Sequence, residues 1–240
     1  MQTHFPVLIM IARPAAGKSE IIHTLREVSP EDRLERFHIG ALKVFDDFPM
    51  LWTWFEEDDL LEKIFKRPRL HTTPDGYFLH ADLWHLLVRR LNLEYNKWWR
   101  DASDDGTAII EFARGSEHGG YRTALGHFDT NLLKKAAVLY IDVSYEESLR
   151  KNRTRFNPER PDSILEHSLS DEKMERLYQH NDWEQISADD DQYLTIDGVR
   201  VPYAIFPNED DITTTGGEPL EARLETVLSH LWSIYQIAAV

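Results

Sequence analysis

The chain contains no cysteine, which excludes a disulfide framework and thiolate metal sites. Basic residues are also scarce, since 27 Lys and Arg stand against 42 Asp and Glu, for a formal net charge of −15. Nucleic acid polymers and anionic membrane surfaces attract an excess of Lys and Arg. The negative charge therefore argues against either as the main partner, but it allows a small anion bound in a local basic pocket.

Long hydrophobic runs are missing as well, and none approaches the length of a transmembrane helix. The apolar run at residues 7–11 has no basic leader, so we interpret it as a buried strand and not as a signal peptide. These features favour a cytoplasmic protein. The 240 residues, of which 42% are hydrophobic, suffice for one sizeable core, and we predict a single domain over residues 1–240. A homodimer stays open.

One short stretch, ARPAAGKS at residues 12–19, matches a phosphate-binding loop in which alanine replaces the usual first glycine. An apolar run precedes it, and Ile21, Ile22 and Leu25 follow at helical spacing. The strand–loop–helix context matters because turned backbone and a helix N-terminus together attract phosphate. The alternative is a strand-to-helix turn whose lysine is merely solvated.

Each residue type in this loop has a physical use. The lysine supplies charge to the β- and γ-phosphates, and the serine hydroxyl binds Mg²⁺. The leading alanine gives up some backbone freedom relative to glycine. The residues predicted to bind nucleotide here are Ala12, Arg13, Pro14, Ala15, Ala16, Gly17, Lys18 and Ser19.

Apolar runs alternate with helical patterns along the chain, which is typical of βαβ units and a mainly parallel sheet. Strands are predicted at residues 7–11, 36–39, 107–112 and 137–143, and within 193–206 around an Asp-Gly turn. Helices are predicted from about 18, at 48–65, 79–99 and 121–135, from 144, and at 171–179 and 220–237.

Three features together resemble the P-loop kinases of the nucleoside monophosphate kinase type: the loop, the end of TAIIEFARG and the arginine cluster RKNRTRFNPERPD. The resemblance implies an α/β, three-layer P-loop NTPase fold with a mainly parallel five-stranded sheet of order 2-3-1-4-5. It also implies a helical acceptor region at about 41–105, an arginine-bearing lid at about 153–170, and ATP with Mg²⁺.

The resemblance also suggests residues for the acceptor side. Glu111 stands where such kinases place an acidic residue near Mg²⁺, although they more often have Asp-Gly there, and an ion pair with Arg114 is the alternative. Arg114 and Arg122 are predicted to grip the acceptor or only to cap local backbone. Asp46 and Asp47 are further acceptor-binding candidates. Related kinases use an aspartate at the end of the second strand as base, but Gly40 follows our predicted strand, so an N-cap role is equally open.

The spacing of Arg150, Arg153, Arg155 and Arg160 would let two or three of them face one site. Such a site would suit a phosphate group, because arginine forks bind phosphate oxygens well. We take Arg153 and Arg155, with Lys18 and Glu111, as candidate catalytic residues; an exposed charged helix is the alternative for the cluster. The resemblance places Asn208 beside adenine.

The region between residues 45 and 99 is rich in aromatic residues. We predict that these side chains form part of the hydrophobic core; an acceptor pocket that stacks on a flat ring is the alternative. A zinc site at His80, Asp82 and His85 is disfavoured, because histidines five apart on a helix point in different directions.

The sequence therefore predicts an ATP-dependent kinase acting on a small-molecule acceptor such as a nucleoside, nucleotide or other polar metabolite. A P-loop ATPase or regulatory switch without such an acceptor is the main alternative. A degenerate module that binds no nucleotide is a third hypothesis.

Overall fold

The structure is a computed structural model that describes residues 2–101, 105–155 and 168–238. Within these ranges it is an α/β protein with a six-stranded sheet. The strands are β1 (Val7–Ala12), β2 (Ala41–Asp46), β3 (Gly106–Phe112), β4 (Ala136–Asp142), β5 (Tyr193–Ile196) and β6 (Val199–Pro207). The helices are α1 (Lys18–Glu27), α2 (Pro30–Phe37), α3 (Asp47–Lys63), α4 (Leu83–Asp101), α5 (Gly120–Leu125), α6 (Thr130–Leu133), α7 (Tyr145–Arg155), α8 (Asp171–Tyr178), α9 (Trp183–Ile186), α10 (Ile212–Thr215) and α11 (Gly217–Ala238).

The strand order is β2-β3-β1-β4-β6-β5, so the predicted count of five and the order 2-3-1-4-5 are both wrong. Five strands run parallel, and β5 adds an antiparallel edge beside β6. The extra strand arises at the Asp-Gly turn, where Asp197 (φ 47°) and Gly198 (φ 77°) both adopt left-handed backbone. That conformation reverses the chain in two residues and builds a hairpin.

The predicted strand at 36–39 is also wrong. The Ser29 hydroxyl accepts a hydrogen bond from the Asp32 N–H at 3.1 Å, and Pro30 takes the first helical position, so this segment forms α2. The second strand follows it and ends at Asp46. The carboxyl end of strand two is therefore occupied by the carboxylate residue Asp46, and Gly40 lies before the strand instead of after it.

The single crossover helix predicted at 121–135 is replaced by the short helices α5 and α6. The Asp182 carboxylate accepts hydrogen bonds from the N–H groups of Tyr121 and Arg122 at 2.6 and 3.0 Å, which fixes the start of α5. Asn92 and Asp129 exchange two hydrogen bonds at the start of α6. These contacts from distant parts of the chain hold the break between the helices.

The central strands β1, β3 and β4 are almost wholly buried because helices cover both faces of the sheet. Along β1, Val7, Ile9 and Ile11 pack towards α4, α5 and α6, while Leu8 and Met10 pack towards α1 and α11. Full burial of each such side chain contributes about 1.5–3 kcal/mol. The two cores hold the carboxyl ends of β1, β2 and β3 in a fixed arrangement. None of the described helices has the length and apolar character needed to cross a membrane.

The acceptor region predicted at 41–105 contains a sheet strand, β2, as well as α3 and α4, and its residues 102–104 lie outside the described part. A strap of residues 66–80 joins the two helices. The fully buried Asp58 carboxylate holds this strap, because it accepts hydrogen bonds from the N–H groups of Leu70, His71 and Thr72 at 2.6–2.9 Å and from the Thr72 hydroxyl at 2.7 Å. Of the predicted lid at 153–170, residues 156–167, including Arg160, lie outside the described residues.

Candidate functional site

The loop between β1 and α1 has the backbone of an anion-binding nest. Ala15 (φ 54°) and Gly17 (φ 107°) both lie in the left-handed region. Gly17 is the N-cap of α1 and no side chain caps the helix there, so the first N–H groups of α1 have no side-chain acceptor. Uncapped helix N–H groups beside turned backbone favour a bound anion. The geometry fits the phosphate groups predicted for this loop.

Gly17 is required by its surroundings as well as by its backbone angle. A Cβ atom at this position would lie 2.5 Å from the Thr213 hydroxyl, 2.7 Å from the Thr213 methyl and 2.9 Å from the Asn208 amide nitrogen. The Asn208 amide donates to the Ala16 carbonyl at 2.9 Å and to the Thr213 hydroxyl at 2.8 Å. Asn208 is fully buried beneath the loop, and these hydrogen bonds support the loop from below. The sequence had suggested a place beside adenine for this residue.

Helix α7, which leads into the predicted lid, supplies two more supports that the sequence analysis missed. The Ser148 hydroxyl donates to the Pro14 carbonyl at 2.7 Å. The buried Lys151 ammonium donates to the Thr213 hydroxyl at 3.0 Å and to the Asp211 carboxylate at 2.5 Å. No sequence motif marks these residues, because each contact joins residues at least 60 positions apart.

Arg13 points away from the phosphate side of the loop. Its guanidinium donates to the carbonyls of Tyr178 and Gln179 at 2.5 and 3.2 Å, at the end of α8. Arg13 therefore ties the loop between β1 and α1 to the end of α8.

A cleft of about 1190 Å³ opens over the loop. Its wall includes residues 14–19, the carboxyl ends of β2 and β3, the end of α7, and parts of the segment 211–217. In the sheet order, the chain runs from β1 to β2 in one direction and from β3 to β4 in the other. Ligands of open α/β sheets bind at such a switch point.

Asp46 and Glu111 are register partners on the adjacent strands β2 and β3, and both line the cleft. Burial, and then the charge of Asp47, raises the pKa of Asp46 to about 6. Burial, and then the charge of Asp46, raises the pKa of Glu111 to about 7. The positive charges of Lys18 and Arg155 oppose both shifts. The site thus brings two carboxylates and two cations together beside the loop.

These groups also fit a magnesium ion. Mg²⁺ prefers oxygen ligands and keeps several of its waters. The Ser19 hydroxyl and the Glu111 carboxylate, the predicted metal ligands, both line the cleft. In the described part of the chain, no three His, Asp or Glu side chains form a cluster for a metal ion.

Arg114 pairs with Asp47 and not with Glu111, the alternative partner considered from the sequence. Its guanidinium lies 2.6 Å from the Asp47 carboxylate, and both side chains are buried. It also donates to the carbonyls of Ala113 and Trp84 at 2.6 and 3.2 Å. The pair forms one inner wall of the cleft.

The structure separates the remaining predicted arginines. Arg155 lines the cleft, whereas Arg153 pairs with Asp171 at 2.6 Å on the surface and does not line it. Arg122 is exposed on α5 and does not line the cleft. Arg150 pairs with Glu147 and Asp211. The proximity of Arg155 fits the catalytic prediction; the positions of Arg153 and Arg122 do not fit theirs.

Three of the aromatic side chains in the region 45–99 that could have formed an acceptor pocket are buried in the core instead. Phe45, Trp54 and Trp84 are 6%, 9% and 8% exposed. Phe48, Leu51 and Trp84 nevertheless contribute to the cleft wall beyond the two carboxylates. The cleft wall therefore has an apolar part as well as its charged groups.

No protein-family model matches the chain, and a search of curated proteins finds no match. The resemblance to P-loop kinases stays an inference from the residues and their geometry.

Proposed function

We propose that this chain is an ATP-dependent phosphotransferase that moves the γ-phosphate of Mg-ATP to a small-molecule acceptor. One observation carries the proposal: the carboxylates Asp46 and Glu111 lie at the ends of adjacent parallel strands, within electrostatic reach of Lys18 in the phosphate-binding loop. This arrangement brings anion-binding groups, candidate metal-binding oxygens and a candidate base into one cleft. Phosphoryl transfer depends mainly on such positioning and charge.

The loop residues hold the donor in this proposal. Gly17 and the first turn of α1 present N–H groups to phosphate oxygens, while Lys18 and Arg155 supply positive charge. Ser19 and Glu111 hold the metal and its waters. Mg-ATP supplies the transferable phosphoryl group and the metal charge that stabilises it.

Asp46 acts as the proton acceptor for the attacking hydroxyl. A pKa of about 6 leaves most of this carboxylate ionised at neutral pH, yet makes it a better base than an ordinary aspartate. Its side chain also accepts a hydrogen bond from the Phe48 N–H at 2.9 Å, so the N-cap role predicted as an alternative is present too. That hydrogen bond fixes the carboxylate at the end of β2.

The apolar part of the cleft wall favours a kinase over a regulatory switch. A switch has no need for an apolar wall beside its phosphate site, whereas a kinase must enclose an acceptor near the transferred group. Phe48, Leu51 and Trp84 form such a wall.

The test is ADP formation from Mg-ATP by the wild type and by Lys18→Ala, across nucleosides, nucleoside monophosphates, sugars and amino alcohols. Stimulation by one chemical class, lost in Lys18→Ala, would support the proposal. Slow ADP formation that no acceptor stimulates, but that Lys18→Ala abolishes, would support an ATPase or switch. Absence of both ADP formation and Mg-ATP binding would support a module that binds no nucleotide.

A further inference from the structure

The charges of the cleft bear on the class of acceptor. The cations that line it in the described part of the chain are Lys18, Arg36, Arg114, Arg150, Lys151 and Arg155. A phosphate-bearing acceptor would need at least one of them in addition to those that hold the donor, because a buried phosphate requires a paired cation.

Arg36, Arg114, Arg150 and Lys151 already have carboxylate partners. Arg36 lies 2.8 Å from Glu221 and 2.8 Å from Glu225. Lys151 and Arg150 both pair with Asp211, at 2.5 and 2.7 Å. Their charge is therefore largely neutralised within the protein.

Among the described residues, Arg114 is the cation on the acceptor side, and its neighbours hold it firmly. Only 4% of the side chain is exposed, and Asp47 neutralises it at 2.6 Å. Two backbone carbonyls accept hydrogen bonds from the guanidinium. The guanidinium also lies over the rings of Trp84 and Phe112, 5.1 and 5.2 Å from their centroids. An acceptor phosphate would have to break the buried Asp47 pair to use it.

Lys18 and Arg155 complete the set, and the proposed function assigns both to the donor phosphates. The groups left facing the acceptor are then the carboxylates Asp46 and Glu111, beside the apolar wall of Phe48, Leu51 and Trp84. A second anion placed there would meet negative charge without a further cation from the described residues to balance it. Like-charge contacts of this kind exclude ligands effectively.

We propose that the acceptor is an alcohol without a phosphate or other anionic group, neutral or cationic, whose carbon face packs on the apolar wall. The proposal rests on the kinase function proposed above. Nucleotides, one of the acceptor classes allowed by the sequence, are excluded by it.

The experiment compares matched acceptors that differ only in a phosphate: each nucleoside with its 5′-monophosphate, each sugar with its sugar phosphate, and each amino alcohol with its O-phosphate. The measured quantity is kcat/KM for ADP formation, with the product identified by mass spectrometry. For the active pair, we expect the unphosphorylated member to be favoured by about a hundredfold, the size of a penalty for unbalanced like charge. An equal or higher kcat/KM for the phosphorylated member would overturn the inference while leaving the kinase proposal intact.

A variant tests the role of the ion pair. Asp47→Asn keeps the shape of the side chain but removes the charge that neutralises Arg114, so we expect the preference for the unphosphorylated acceptor to fall about tenfold. Asp191→Asn removes the same charge from an exposed turn and should leave the ratio unchanged. A ratio in Asp47→Asn equal to that of wild type would overturn the assignment of the discrimination to this pair. ADP formation that no member of any pair stimulates would overturn both the inference and the kinase proposal.

Discussion

Replacing Gly17 with alanine should destabilise the protein more than the backbone angle alone explains. The left-handed φ of 107° costs an alanine about 1–3 kcal/mol. The added Cβ would also meet three atoms of Thr213 and Asn208 at 2.5–2.9 Å. Both side chains are buried and hydrogen-bonded to each other, so neither can move away cheaply. Overpacking of this kind adds about 1–3 kcal/mol, for a total loss of about 2–6 kcal/mol.

Gly198→Ala is the matched control. Gly198 also has a positive φ, of 77°, but a Cβ there would meet nothing within 4 Å. The control should therefore lose only the backbone contribution. We would measure urea unfolding by tryptophan fluorescence and compare free energies of unfolding at equal m-values.

A double-mutant cycle isolates the contact. Thr213→Ala removes the two atoms nearest to the new Cβ, so the loss from Gly17→Ala should be smaller in that background by about 1 kcal/mol or more. Equal losses for Gly17→Ala and Gly198→Ala, together with no coupling to Thr213, would refute the packing described beneath the loop.

Three further outcomes are expected. Arg155→Ala should lower kcat far more than ATP affinity, whereas Arg153→Ala should change both little, because its ion pair with Asp171 is about 60% exposed; equal kinetic losses would contradict the placement. In the ligand-free protein the pKa of Glu111 is raised, so the stabilising contribution of this residue is full below about pH 4.5 and is lost as the pH rises through about 7. The free energy of unfolding of wild type minus that of Glu111→Gln should therefore fall by about 2–3 kcal/mol between pH 4.5 and 8. A difference that does not change with pH would refute the pKa shift. Asp58→Ala leaves four donors without their acceptor and should cost about 3 kcal/mol or more, with faster hydrogen exchange in residues 66–80; unchanged exchange there would show that the carboxylate does not hold the strap.

The strand–loop–helix arrangement of β1 and α1 could be predicted from sequence because its signals are local. The apolar run, the glycine before Lys18 and the helical spacing after it all fall within about 20 residues. The α/β class follows from the same alternation of patterns along the chain. Strand placement was less secure where two local signals compete, as at FHIG, where a short apolar run resembles a strand but Ser29 and Pro30 start a helix that extends to Phe37.

The acceptor side depended on that strand. Because the second strand ends at Asp46, this aspartate occupies the position that the sequence analysis associated with Gly40. The partners of Arg114 and the supports beneath the loop could not be predicted, since Asp47, Thr213 and Lys151 reach them from distant segments. The pKa values of Asp46 and Glu111 likewise depend on burial and on each other, and neither is encoded by spacing.

The central claim is that residues 12–19 bind the phosphates of a nucleotide, and calorimetric titration with Mg-ATP tests it most directly. Wild type should bind with a stoichiometry of one. Lys18→Ala should bind about 10- to 150-fold more weakly, as expected for one lost hydrogen bond to a charged group. Lys134→Ala, an exposed lysine away from the cleft, should bind like wild type. No binding to wild type, or equal affinity in Lys18→Ala, would contradict the account.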